Sequence, residues 1–158
     1  MSDARALLRH AVATVAYRGE KSLREAPPGF GSFDAGASVR TPLVLVAHIG
    51  DLFDWSLSLA RGEGQWRESP PGAWDSEVAR LYASIAAFDA YLASDAPLQG
   101  GVERLLQGPV ADALTHVGQL MLLRRMAGAK VKSENYFRAD VAPGRVGLEQ
   151  VPAKREFD

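Results

Sequence analysis

Apolar residues return every three or four positions in four separate stretches of this chain, and each stretch is bounded by proline or glycine. That period is the mark of a helix with one face turned to a core, and four such faces can cover one another only by packing together. In the first stretch Leu7, Leu8, Ala11, Val12 and Val15 form the stripe while Arg5, Arg9, Arg18 and Lys21 stand off it. This predicts a helix over about 3–25, ended by Pro27, Pro28 and Gly29. Thr41 suits a helix N-cap and Pro42 a first helical position, so a second helix is expected over about 42–60. Its apolar face carries Leu45, His48, Leu52, Trp55 and Leu59. A third helix over about 76–94, capped by Asp75 or Ser76, turns Val78, Leu81, Ile85, Phe88 and Leu92 inward. The fourth is expected over about 109–127, opening after Gly108-Pro109 and stopping at Gly128, with VERLLQ as a short helical turn before it. No stretch sustains the two-residue alternation of a sheet. The expected fold is therefore all-α: an up-down four-helix bundle in one domain over 1–158, with an irregular extension over 128–158.

Composition narrows the function classes. The 158 residues carry a net charge of −1, which gives no electrostatic pull towards nucleic acid or a membrane surface. The charge is uneven, net −4 over 1–123 and net +3 over 124–158, but a tail of +3 reads as a solvated segment. There is no cysteine, so disulfides, zinc–thiolate sites and a cysteine nucleophile are excluded. The most apolar run is PLVLVA, too short for a span, and the amphipathic start resembles no signal peptide, so a cytoplasmic protein is expected.

The fourth helix carries an anomaly. Asp112, His116, Gln119 and Leu123 fall on one stripe, and three of the four are polar. A polar group at a core position must be paired, hydrogen-bonded or bound to a metal. Asp112 and His116 stand one turn apart, close enough to reach a single ion, and His48 could face them from the second helix. Each residue also has a plainer reading. Asp112 near a helix start suits the helix dipole, the histidines could be hydrogen-bonded core residues, and Gln119 could bind a neighbouring helix. Asp51, one turn beyond His48, could orient that imidazole or could be a solvated surface aspartate. His10, beside Thr14 and Tyr17, reads as a boundary residue.

Two segments, LVLVAHIGDLFDWSLSLA and DALTHVGQLMLLRRMAG, resemble the DinB-like (DinB/YfiT) superfamily of four-helix-bundle metalloproteins, the second through its His-x-Gly-Gln element and the arginine-bearing apolar run after it. The resemblance covers about residues 5–127, and the tail SENYFRAD looks like that of an uncharacterised subgroup. It implies a divalent metal, such as nickel or zinc, held by one histidine of the second helix and two of the fourth. Carried over residue by residue, these positions are His48, residue 112 and His116. Residue 112 is aspartate here, a departure that alters affinity and metal preference without abolishing the site, since aspartate can ligate zinc, nickel, iron or manganese. Characterised members include thiol-dependent transferases and a thiol-dependent isomerase, so a low-molecular-weight thiol is implied as a further cofactor.

The resulting expectation is a metal-dependent enzyme of thiol-dependent transferase or hydrolase-like type, acting on a small molecule the sequence does not name. Gln119 and Asp51 would support the ligands His48, Asp112 and His116. The alternative is a non-enzymatic binding or structural bundle that has lost its metal. A second apolar stripe on the fourth helix, Val110, Leu114, Val117 and Met121, suggests a homodimer unless the tail covers it. Tyr136 and Phe137 are expected to pack, and residues after Gln150 to be loose.

Overall fold

The computed structural model describes residues 2–68 and 70–158. Helix α1 spans Asp3–Leu23, α2 Pro42–Arg61, α3 Trp74–Ala93, α4 Val102–Leu105 and α5 Ala111–Met126. The four long helices form the expected bundle. α1 packs on α3 and α5, and α2 packs on the same two helices, so consecutive α1 and α2 lie across a diagonal, as do α3 and α5. The long segment after α1 makes that diagonal crossing possible. Phe30, in a short 3₁₀ turn within it, is buried edge-on against Trp74 at 5.7 Å between ring centroids.

Local chemistry accounts for the helix ends. The Thr41 hydroxyl accepts from the Val44 amide with Pro42 in the first turn, and Gly62 closes α2 with a φ of 85°. α3 departs from expectation, since neither Asp75 nor Ser76 caps it. It starts at Trp74 behind Ala73, and the Glu77 carboxylate reaches back to the Gly72 amide at 2.8 Å. The fourth helical run also begins earlier than expected. α4 continues through a π-type turn over Leu106–Val110 into α5, with a kink at Gly108 where ψ is −107°. The missing N–H and fixed ring of Pro109 interrupt the regular ladder there. Leu8, Val12 and Val15 of the first apolar stripe are buried, together with Ala16, but Leu7 is exposed. By length and composition α2 could cross a membrane, but 61% of its most apolar window is buried among the other helices, the pattern of a core helix.

Carbonyls at helix C-termini have no partner within the helix. Two arginines supply one. Arg5 on α1 donates to the carbonyls of Tyr91, Leu92 and Ala96 at the end of α3. Arg124 on α5 donates to those of Ser22 and Arg24 at the end of α1. Arg9 and Asp89 add a two-point ion pair between α1 and α3, both bonds at 2.9 Å.

The C-terminal extension is pinned more firmly than its composition suggests. Glu134 is buried and accepts from the Tyr17 hydroxyl at 2.7 Å and from the Lys21 ammonium at 2.9 Å. Glu156 binds the same ammonium at 2.7 Å, and the two glutamates sit on a pair of short antiparallel strands, β1 Ser133–Glu134 and β2 Glu156–Phe157. Residues beyond Gln150 are thus not loose, because a buried lysine needs the second carboxylate. Burial opposes the Lys21 charge, but its hydrogen bonds to Glu156 and Glu134 outweigh that and raise its pKa. Tyr136 packs as expected, edge-on to Tyr17 and beneath the Arg18 guanidinium at 4.0 Å. Phe137 does not; its ring is 99% exposed.

Ending the chain at Pro152 removes β2 and Glu156 and should destabilise the fold by about 1–2 kcal/mol, while Lys21→Met leaves the buried Glu134 charge with only the Tyr17 hydroxyl and should lose about 3 kcal/mol. Denaturant unfolding measures both, and an unchanged midpoint in either variant would contradict the pinned tail. The hydrogen bond from Lys21 also holds the Glu156 carboxyl below its ordinary value of 4.5. Its contribution is present above that value and is lost as pH falls through the lowered one, so strand β2 should exchange its amides faster on acidification below the carboxylate range.

Candidate metal centre

Two helices bring three side chains together. His48 lies in the second turn of α2, and Asp112 and His116 lie one turn apart at the start of α5. Asp112 Oδ1 is 3.3 Å from His116 Nε2, and Oδ2 is 3.9 Å from His48 Nε2. The imidazoles meet edge to face with centroids 4.8 Å apart, and one ligand atom from each residue can be chosen so that all lie within 4.8 Å of one another. Ligand atoms about 2.0–2.2 Å from a tetrahedral ion stand roughly 3.3–3.6 Å apart, so the observed separations need only small side-chain adjustments to close on one cation. The group could hold a metal ion.

The surroundings suit that role. His116 Nδ1 is 2.8 Å from Gln119 Oε1. In the tautomer that carries its proton on Nδ1, Gln119 Oε1 accepts that hydrogen bond and Nε2, 3.3 Å from Asp112 Oδ1, is left to bind a cation between the two. Gln119 thus meets His116 on its own helix rather than a neighbouring helix. Burial, then His116 and Arg40, push the His48 imidazole below its ordinary value of 6.5, against the opposing pull of Asp112 and Asp51. A lowered value keeps His48 neutral, which is the form that binds a cation. Asp112 is half-exposed and His116 is buried, so the site opens to solvent on the aspartate side rather than lying sealed in the core.

Asp51 is neither at the surface nor solvated. It is 3% exposed and pairs with Arg80 of α3 at 3.0 Å. The same guanidinium donates to the Ala47 carbonyl at 2.8 Å and to Glu77 and Asp54. A Cβ at Gly50 would stand 3.0 Å from that guanidinium, so glycine is what allows Arg80 to lie against α2. Asp51 therefore helps hold the turn of α2 that carries His48, and it acts on the imidazole through its charge.

Two residues at the site carry no signal in the sequence. Trp66 lies in the segment after α2, where glycines and charges read only as a loop, yet its ring stands 5.8 Å from His48 and 5.6 Å from Trp55. Arg40 looks like an ordinary loop cation and becomes visible only through its effect on His48. His10, on the outer side of α1, is exposed as a boundary residue would be.

Comparison of the chain with protein-family models, with curated proteins and with solved structures finds no match. The geometry must therefore stand by itself.

The Gln119 contact makes a prediction for the metal-loaded chain. With zinc bound, His116 should ligate through Nε2 and carry its proton on Nδ1, which nitrogen NMR reads, and Gln119→Leu should weaken zinc binding. Ligation through Nδ1, or zinc affinity unchanged by Gln119→Leu, would contradict the arrangement.

Proposed function

We propose that this chain is a metal-dependent enzyme of the DinB-like superfamily in which His48, Asp112 and His116 hold one divalent ion. The observation that carries the reading is the convergence of two imidazoles and a carboxylate, from two different helices, on one half-open point. Nickel and zinc suit two nitrogens and an oxygen, and iron or manganese are chemically admissible. A bound divalent ion would supply a Lewis acid and lower the pKa of a water or thiol beside it. The protein's own groups do the rest. Gln119 contacts the ring of His116, the Arg80–Asp51 pair fixes the turn bearing His48, and Trp66 packs edge-on to that imidazole. Asp112, open to solvent, marks where a small molecule reaches the centre.

A low-molecular-weight thiol as co-reactant follows from the resemblance of the His48 and His116 segments to that superfamily, and thiol-dependent transfer or a hydrolase-like reaction is the proposed chemistry, in the cytoplasm. A homodimer is also proposed. Val110 and Val117 of the second stripe are buried within the chain, but the face between α1 and α5 remains apolar around Leu7, Leu106 and Leu114. The 3.3 Å contact of Asp112 with His116 also fits a second reading, a bundle in which the pair serves only as a polar cluster.

Titration of the untagged chain separates the two. At a hundredfold excess over the dissociation constant, a native-state site stabilises the fold by about 2.7 kcal/mol, or about 5–10 °C in melting temperature. His116→Ala should abolish the shift with zinc and nickel, and Asp112→His should keep or enlarge it. No response in the unaltered chain would leave only the polar cluster.

A further inference from the structure

His116 and Gln119 also line a cavity of about 430 Å³ whose other wall is mostly apolar. Its size falls within the roughly 300–1,000 Å³ typical of small-molecule sites. Val39, Leu122 and Met126 lie on that wall, and each remains about half exposed. Large apolar side chains gathered around a polar centre and left open to water are characteristic of a ligand site rather than of ordinary surface. Arg40 is the one cation among the lining residues. It is exposed, and among the described residues it takes part in no ion pair.

The segment that presents Val39 and Arg40 has an unusual backbone. Gly36, Ala37 and Ser38 have φ of 78°, 51° and 59°, three successive left-handed residues of which only the first is glycine. Asp34 braces the turn by accepting from the Gly36 amide at 2.7 Å. Arg40 is then followed at once by Thr41, the N-cap of α2, which ties it to the helix that carries His48.

We infer that the cavity takes a small, largely apolar monoanion: a carboxylate held by Arg40, an apolar body along Val39, Leu122 and Met126, and the reactive end delivered to His116. The placing of the reactive end rests on the reading of His48, Asp112 and His116 as metal ligands. The recognition by Arg40 and the apolar wall does not, and it can be tested without metal.

Octanoate is a suitable ligand for the test, with octylammonium and 1-octanol as partners of equal chain length and different charge. Calorimetric titration into the full metal-free chain should show octanoate binding at least about tenfold tighter than octylammonium, as one charge-assisted hydrogen bond provides. Arg40→Gln should erase that preference, and because Arg40 is exposed the variant should fold normally. Leu122→Asn, also at an exposed position, should weaken all three. Equal binding of octanoate and octylammonium, no binding of any of them, or an anion preference that survives Arg40→Gln would overturn the inference. Zinc titration of the same samples keeps the two claims apart. An anion preference that depends on Arg40 in a chain that binds no zinc would support the cavity's specificity and overturn the metal reading alone.

Discussion

A polar group taken out of water must be given a partner, and in this bundle that requirement decides how the helices are arranged around the site. Arg5 and Arg124 satisfy carbonyls at the ends of α3 and α1, tying each of those helices to a neighbour at a fixed height. Arg80 bridges α3 and α2 through Ala47 and Asp51. Lys21 draws in Glu134 and Glu156, and with them the whole C-terminal extension. Interdigitated apolar packing sets how the helices lie against one another, and these directional contacts fix their ends to particular neighbours. His48 and His116 are the same requirement met differently. They are withdrawn from water on facing helices, and what they share is a half-open carboxylate and each other.

The helices were legible because each rests on periodicity and local chemistry. Thr41-Pro42 and Gly62 bound α2 as such residues should, and the inward faces of α2 and α3 are close to those the stripes mark. Where reading failed, the cause was tertiary. A cap at Asp75 or Ser76 was displaced because Glu77 reaches back to Gly72. The end of the chain looked solvated because nothing local shows that Lys21, more than a hundred residues away, is buried and needs Glu156. Phe137 is the reverse case: its apolar ring suggests packing, but the turn of Tyr136–Arg138 directs Tyr136 inward and leaves Phe137 outside. We have no physical account of why a phenylalanine stands there.

Asp112 and His116 were legible from helical spacing alone, while His48 stood only as a residue that could face them, and naming the three as one ligand set drew also on the resemblance. Helical spacing places Asp112, His116 and Gln119 on one stripe, and polar residues in an apolar stripe demand an explanation. The site's walls were not legible. Trp66 and Arg40 come from segments without period, and only the closed loops bring them to His48 and to the cavity beside His116. Periodic elements thus carry the residues that could ligate an ion, and aperiodic ones carry Trp66 beside His48 and the charge of Arg40 beside the cavity. Asp112 brings a negative charge to the solvent side, which would partly offset the charge of a divalent ion and leave such a centre less electrophilic than three neutral imidazoles would.

The central claim is that His48, Asp112 and His116 are ligands to one ion, and X-ray absorption spectroscopy of the chain loaded with one equivalent of zinc tests it most directly. The account predicts two imidazole nitrogens and carboxylate or solvent oxygens at about 2.0–2.2 Å, with the imidazole scattering reduced to that of one ring in His48→Ala. An all-oxygen shell, or a spectrum unchanged by His48→Ala, would contradict it.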